Sequence, residues 1–294
     1  LELSSYQIEL AKCLAPNFAA FINFSSDHLQ RHGGLGGYFY AKARLFLENL
    51  TDISVINIDT AEGLFLFQRL NTVDNKMMAI SSKLNIKNYL WAVGLKGSFI
   101  TEWKKGRQVY SFDLRNLGKS FHGLWESVLT VYALARSFGI APKNIVTKCS
   151  GFVPLAHRNQ WVDEIKGVAF INDSKATNVD ATIHALNTYK NVHLILGGRA
   201  KEDNFRQLQD SMKNISRIYI IGEAAALIAS NFEGQDIEQF DTLNDAFDSA
   251  KSIATQGDTI LFSPACASFD QYLNFEERGK HFISLVEEYR KNII

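Results

Sequence analysis

Six consecutive residues, Asp173-Ser-Lys-Ala-Thr-Asn178, combine an acid, two hydroxyls, a cation and a residue suited to capping a helix. They follow the apolar run Val168-Ala-Phe-Ile171, which predicts a strand, and precede an amphipathic stretch that predicts a helix. A turn at the end of a strand directs backbone N–H groups and side chains to one point, which suits a negatively charged ligand. An ordinary polar turn with a good N-cap is the alternative, and this segment alone leaves both open.

Two later turns also place small and polar residues after a predicted strand. Gly197-Gly-Arg-Ala-Lys201 has two glycines, which let the backbone approach a ligand closely, and two cations. The small residues of Ser263-Pro-Ala-Cys-Ala-Ser268 allow backbone amides to meet a carboxylate or phosphate, although tight helix–sheet packing also explains them. Neither the dinucleotide pattern G-x-G-x-x-G nor the P-loop pattern G-x-x-x-x-G-K-[ST] occurs in the sequence.

Lys42 is a basic residue beside the apolar stripe of a helix predicted at 38–50. Apolar residues recur there at helical spacing from Phe39 to Leu50, and Lys42 lies against them. A lysine in such a position commonly extends its ammonium group to water. The alternative is a desolvated, neutral amine that is able to react.

Two further pairs of polar residues are candidates for phosphate or metal binding. Asp27-His28 follows a strand predicted at 17–23 and suits either a metal site or a purely structural role. His157-Arg158 lies close to a change in sequence pattern, and its guanidinium suits a phosphate. A surface salt bridge explains Arg158 equally well.

The elements that must position these residues divide the chain into two predicted domains, 1–154 and 155–294. The first mixes strands and long helices, with strands predicted at 17–23, 55–58, 64–67, 89–93 and 108–112 and helices at 38–50 and 124–138. The second alternates regularly, with strands at 168–172, 192–197, 217–222 and 259–262 and helices at 179–189, 204–213, 223–231, 243–255 and 270–290. This alternation predicts an α/β fold with a doubly wound sheet.

Composition is typical of a globular chain of 294 residues without a basic field. Lys plus Arg and Asp plus Glu both number 31, which does not favour nucleic acid as a partner. The three scattered cysteines fit free thiols in a reducing compartment. The chain starts without Met, at residues 1–9 that resemble a strand already under way, so we expect the later part of a longer protein.

Taken in order, these motifs resemble the Mur ligase superfamily, and specifically its D-glutamate-adding members. The resemblance spans the chain and implies an incomplete central ATPase domain, a mixed sheet with helices that lacks its P-loop, followed by a Rossmann-like C-terminal domain. The matching segments are Glu2-Leu-Ser-Ser-Tyr-Gln-Ile-Glu9, Asp27-His-Leu-Gln-Arg-His32, Tyr40-Ala-Lys-Ala-Arg44, His157-Arg158, Ile171-Asn-Asp-Ser-Lys-Ala-Thr-Asn-Val-Asp-Ala181, Leu196-Gly-Gly-Arg199, Ser263-Pro-Ala-Cys-Ala-Ser-Phe-Asp270 and Asn274-Phe-Glu-Glu-Arg-Gly279.

The resemblance implies a cytoplasmic, monomeric, ATP- and Mg²⁺-dependent ligase of peptidoglycan synthesis. It would join D-glutamate to UDP-N-acetylmuramoyl-L-alanine through an acyl phosphate, without binding nucleic acid or inserting into a membrane. Because no P-loop is present, we expect this chain to be inactive alone. A non-catalytic Rossmann-like module for an acidic amino acid or nucleotide is the alternative, and a folate-type polyglutamate ligase is disfavoured by Ser263-Pro-Ala-Cys-Ala-Ser268.

The resemblance also implies roles for individual residues. Lys42 would be carried as a carbamate and bind Mg²⁺ together with Glu9 and His28, and these three form the predicted catalytic and metal site. Arg158 and Asp173 would contact the nucleotide. The residues implied for the D-glutamate pocket are Lys175, Thr177, Lys201, Ser268, Phe269 and Phe275.

Overall fold

A computed structural model describes residues 1–24, 29–48, 51–71, 76–121, 123–201, 204–232 and 234–293. The chain divides into two compact units. The first comprises Leu1–Gly118 and Leu124–Phe152, and the second comprises Lys119–Gly123 and Val153–Ile294. Within the described ranges, no helix has both the length and the apolar character needed to cross a membrane. Cys13, Cys149 and Cys266 are free thiols.

The first unit is built on a six-stranded mixed sheet, as predicted. Its strands lie in chain order and are β1 (Phe18–Phe21), β2 (Ile53–Asn57), β3 (Lys76–Ser81), β4 (Trp91–Lys96), β5 (Phe99–Lys104) and β6 (Arg107–Asp113). Strands β1 to β4 pair in parallel, and β4 to β6 pair antiparallel. The helices are α1 (Ser5–Leu10), α2 (Leu29–His32), α3 (Leu35–Leu47), α4 (Ala61–Leu70), α5 (Trp125–Ser137) and α6 (Pro142–Ser150). Strands β3 and β5 were not predicted.

The strand predicted at 64–67 is wrong, because these residues lie inside α4. The Thr60 side chain caps this helix by accepting a hydrogen bond from the Gly63 amide at 3.1 Å. Leu66, Phe67 and Leu70 are buried at helical spacing. The aromatic and aliphatic residues that favoured a strand in the local pattern therefore form the buried face of a helix.

The amino-terminal segment is also helical and not a strand. Ser4 accepts a hydrogen bond from the Gln7 amide at 3.3 Å, and the Gln7 side chain accepts one from the Ser4 amide at 2.8 Å. This reciprocal capping box satisfies amides that a helix end leaves unpaired. It therefore starts α1 at Ser5, and the expectation of a strand at residues 1–9 is wrong.

The second unit has a six-stranded sheet with helices on both faces, which confirms the doubly wound prediction. Its strand order is β11-β10-β9-β12-β8-β7, and only β7 pairs antiparallel. The strands are β7 (Gln160–Ile165), β8 (Val168–Asn172), β9 (Val192–Gly197), β10 (Ile215–Ile221), β11 (Ile237–Phe240) and β12 (Thr259–Phe262). The helices are α7 (Val179–Leu186), a 3₁₀ helix (Phe205–Asn214), α8 (Ala225–Ser230), α9 (Leu243–Ile253) and α10 (Phe275–Lys291).

The neighbouring strands β9 and β12 form a switch point in this sheet. After β9 the chain enters the 3₁₀ helix, whose Phe205 and Leu208 belong to the core cluster on one face. After β12 it enters α10, whose Phe282 and Val286 belong to the core cluster on the other face. Ligands of open α/β sheets bind where consecutive loops leave the carboxyl edge in opposite directions. The loops that follow β8, β9 and β12 therefore define the candidate site.

Candidate functional site

The loops after β9 and β12 are joined by backbone hydrogen bonds at the carboxyl edge of the second sheet. The amides of Arg199 and Ala267 each donate to the carbonyl of the other residue at 2.9 Å. Gly198 has φ +132°, and a Cβ there would lie 2.4 Å from the Ala267 carbonyl oxygen. Glycine is therefore required for this close approach of the two loops.

Asp173, at the end of β8, is buried and hydrogen-bonded to other segments, and it is not a free surface acid. One of its carboxylate oxygens accepts from the Asn159 amide at 2.9 Å, and the other accepts from the Ser263 hydroxyl at 2.8 Å. Burial raises its pKa to about 6, against the lowering effect of these hydrogen bonds and of Arg158. Asp173 thus joins three segments of the second unit, and its contact with a nucleotide stays a prediction.

The predicted lysines of the pocket lie on the loops after β8 and β9. The Lys201 ammonium donates to the Thr177 hydroxyl at 3.1 Å, and the Lys175 Nζ lies 5.6 Å from the ring centre of Phe275. Both lysines are exposed, and within the described ranges neither forms an ion pair. Two cations are therefore available to an acidic ligand at this edge.

Ser268 and Phe269 end the loop after β12. Ser268 is buried, and its carbonyl accepts hydrogen bonds from the amides of Gln271 and Tyr272, at 3.2 and 2.8 Å. The Phe269 side chain is 61% exposed. The structure thus holds the loop backbone in place and leaves the Phe269 ring accessible, while their part in binding D-glutamate stays a prediction.

Arg158 is exposed at the tip of a turn with an unusual backbone. Its neighbours His157 and Asn159 both have positive φ, 63° and 47°, which non-glycine residues rarely adopt. Burial lowers the pKa of His157, and its Nδ1 accepts from the Asn172 side-chain amide at 2.9 Å, which places the imidazole proton on Nε2. The Asn159 side-chain amide donates to the Gly123 carbonyl at 3.2 Å. Buried contacts on both sides therefore hold the turn that presents Arg158.

In the first unit, Glu9 and Lys42 lie on two helices that are tied together. Arg44 of α3 donates to the carbonyls of Ile8 and Glu9 in α1 at 2.9 and 3.1 Å. The Glu9 carboxylate is exposed and pairs with Arg31 at 3.3 Å. This arrangement leaves the Glu9 side chain accessible at the surface of α1.

Lys42 is half-buried, and its Nζ lies 5.1 Å from the ring centre of Tyr38. His28 and Asp27 lie outside the described residues. In the part of the chain that the structure describes, no three His, Cys, Asp or Glu side chains cluster as metal ligands. Carboxylate and carbamate oxygens are hard donors of the kind Mg²⁺ prefers, so Glu9 and a carbamylated Lys42 fit this ion chemically.

Several residues that shape the second-unit site were not predicted to do so. Asn159 and Asn172 make the buried hydrogen bonds described above, and Arg278 is the largest fully buried side chain of the described residues. Arg278 and Asn172 lie within motifs that the sequence singled out, which was the available signal. Their contacts are not local, however, so the motifs alone could not assign their roles.

The chain matches two domain models of one protein family. Residues 1–119 match the Mur ligase middle domain, and residues 157–266 match the glutamate ligase domain of Mur ligases. The chain belongs to the Mur ligase family, which confirms the resemblance inferred from the motifs.

Two relatives with the same name illustrate the similarity. The chain is 42% identical over 293 residues to UDP-N-acetylmuramoylalanine–D-glutamate ligase of Cereibacter sphaeroides strain KD131, covering 98% of this chain and 62% of that protein. It is 41% identical over 294 residues to the ligase of the same name from Ruegeria pomeroyi, with coverage of 98% and 62%. The chain therefore spans about 62% of the length of these curated relatives.

Three solved structures share the fold of this chain. MurF ligase from Thermotoga maritima in complex with ADP has a TM-score of 0.67 at 14% identity, covering 98% of this chain and 66% of that one. UDP-N-acetylmuramate-alanine ligase MurC from the same organism has a TM-score of 0.65 at 16% identity, with coverage of 98% and 62%. Escherichia coli FolC in complex with ADP has a TM-score of 0.61 at 15% identity, with coverage of 94% and 62%. At these identities the similarity shows the fold alone.

Proposed function

We propose that this chain acts in an ATP-dependent ligase that adds D-glutamate to UDP-N-acetylmuramoyl-L-alanine through an acyl phosphate, in peptidoglycan synthesis. The observation that carries the proposal is the meeting of three polar loops at the switch point of the second sheet, with Lys175 and Lys201 exposed beside them. The name shared by relatives at 41 and 42% identity supports D-glutamate as the amino acid.

The amino-acid substrate carries two carboxylates, and the chain offers complementary groups. Lys175 and Lys201 would neutralise these carboxylates, the Thr177 hydroxyl would donate to one of them, and the backbone of Ser268 and Phe269 would offer amides. The Phe275 ring, beside Lys175, would pack on the aliphatic part of the ligand. These groups bind and orient the substrate so that its amine reaches the acyl phosphate.

The nucleotide and metal would use other groups. Arg158 presents a planar fork suited to phosphate, and Asp173 would fix the turn beside it. Glu9, His28 and a carbamylated Lys42 would hold Mg²⁺, which supplies neutralisation of phosphate charge when it is bound. ADP in the MurF and FolC complexes supports ATP as the cofactor.

We further propose that the protein is a cytoplasmic monomer; the proposed substrates, a nucleotide sugar and ATP, support the cytoplasmic location. The alternative function is a non-catalytic Rossmann-like module that holds an acidic amino acid or a nucleotide. Such a module has no use for a carbamate at Lys42, and a simple anion site would not depend on the handedness of the amino acid.

Calorimetric titration of the 294-residue chain with D-glutamate and L-glutamate tests the proposal without requiring turnover. We expect D-glutamate to bind at least about tenfold more tightly, a difference of about 1.4 kcal/mol, because fixed cations and amides meet the carboxylates of only one enantiomer correctly. Relative to the wild-type chain, Lys201→Met should weaken D-glutamate binding by a factor of about ten or more, since a charge-assisted contact is lost.

Lys190→Met is the matched control for this titration. Lys190 is an exposed lysine just before β9, whereas Lys201 follows the same strand. Lys190 therefore lies at the opposite edge of the sheet from Lys201. We expect no change in affinity from this variant. Equal binding of the two enantiomers would favour the anion-binding module and contradict the ligase.

A further inference from the structure

Arg278, in the first turn of α10, is a buried cation that forms no ion pair within the described part of the chain. It is 1% exposed, and among the described residues no carboxylate lies within ion-pair distance of its guanidinium. Burial lowers its pKa to about 10, so the group still carries its charge at neutral pH. Burying a charge without an ion-pair partner is costly, so the hydrogen bonds of the guanidinium must offset part of that cost.

The guanidinium joins the loop after β8 to the loop after β12. Its Nε donates to the Ser174 hydroxyl at 3.1 Å, and its Nη2 donates to the carbonyls of Ser174 and Cys266 at 2.8 and 3.0 Å. The Ser174 hydroxyl in turn donates to the Phe275 carbonyl at 2.8 Å. One planar fork therefore sets the spacing between the turn that carries Lys175 and the loop that ends at Ser268.

The third loop, after β9, reaches the same group. The Nη1 of Arg278 is buried and has no hydrogen-bond partner among the residues that the structure describes. It lies beside Gly198, where an added Cβ would stand 3.1 Å from it. The loops of Ser174, Gly198 and Cys266 thus meet around one buried positive charge. No carboxylate of the described residues forms an ion pair with it, although Asp270 interacts with it electrostatically at longer range.

We propose that Arg278 is a positioning residue of the candidate carboxylate site, because it fixes the spacing of the loops and gives the site a buried positive charge. This inference rests on the proposed function and adds to it a residue that does not itself touch the substrate. At equal distance, the charge of a buried group is screened less than that of an exposed lysine, so Arg278 favours an anionic ligand at this edge of the sheet.

Arg278→Met and Arg278→Lys in the 294-residue chain test the positioning role by hydrogen exchange. We expect Arg278→Met to speed amide exchange in residues 173–177 and 265–268, because both loops lose their shared donor. Arg278→Lys should restore part of the protection and keeps the test decisive if the methionine variant does not fold. Arg290→Met is the control, since Arg290 is an exposed residue of the same helix that pairs with Asp163.

Titration with D-glutamate and D-glutamine tests the role of the charge. Arg278→Met should weaken D-glutamate binding at least tenfold and D-glutamine binding less, because the amide lacks one negative charge. Equal losses for both ligands would overturn the electrostatic role, and wild-type exchange in both loops would overturn the positioning role. If the wild-type chain binds no D-glutamate, the proposed function fails, while the exchange experiment still decides whether Arg278 positions the loops.

Discussion

Replacing Asp173 by alanine is expected to lower the free energy of unfolding by about 3 kcal/mol. The variant leaves the Asn159 amide and the Ser263 hydroxyl without the buried acceptor that they have in the wild type. Asp173→Asn should cost less, because an amide oxygen still accepts from Asn159 and the amide nitrogen can donate to the Ser263 hydroxyl. Urea unfolding followed by circular dichroism measures both changes.

The same carboxyl is expected to make stability depend on pH. Its folded-state pKa of about 6 lies above the unfolded value of 3.8, so the folded chain holds a proton that the unfolded chain releases between these values. The stability from this group is therefore greatest below about pH 4 and is lost as the pH rises through 6. The full difference is about 3 kcal/mol for a shift of this size.

Asp173→Asn should remove this pH dependence, since an amide does not titrate. The measurement is the difference in unfolding free energy between wild type and variant from pH 4.5 to 7.5. The unfolding free energy of the wild type should fall relative to that of the variant as the pH rises. Asp210→Asn, at an exposed acid of the 3₁₀ helix, is the control. A constant difference between wild type and Asp173→Asn would contradict a raised pKa at Asp173.

Lys42→Arg is expected to abolish a lysine carbamate signal that the wild-type chain shows. After incubation with ¹³C-bicarbonate at mildly alkaline pH, the wild type should give one protected carbamate resonance in its ¹³C NMR spectrum. Arginine keeps its proton and forms no carbamate under these conditions, so the variant should give none. Lys12→Arg, at an exposed lysine after α1, should retain the resonance.

Loss of the carbamate should also lower the rate of turnover. In a ligase assay with the complete gene product, Lys42→Ala should reduce the rate on the order of 10³-fold, or about 4 kcal/mol, because the metal site loses an anionic ligand. Undiminished turnover would remove Lys42 from the metal site, whereas a carbamate signal that persists in Lys42→Arg would assign the modification to another lysine.

The parts of the fold that followed from local pattern were predicted well. Strands β8, β9 and β12 and the polar turns after them are read from apolar runs that end in small or charged residues. The segment at 64–67 was mispredicted because four apolar residues fit a strand and a helix equally, and the Thr60 cap and the burial of Leu70 decided for the helix.

The residues of the candidate site also divide into those that the sequence could predict and those that it could not. Lys175 and Lys201 could be named from the sequence because each follows a predicted strand, and parallel strands bring their carboxyl ends to one edge. The burial of Asp173 and the strained turn at Arg158 could not, because they depend on Asn159, Ser263 and other partners far along the chain.

By itself, the sequence determined strands β8, β9, β10 and β12, the family and the turns that carry charged side chains, because these follow from short-range periodicity and motif. Only the tertiary structure decided which of those charges stay in water and which are buried. Ser174 and Arg278 are 104 residues apart, and their hydrogen bond exists only because the sheet returns β12 to the side of β8. Burial and pairing depend on contacts between distant segments, and no local pattern encodes those contacts.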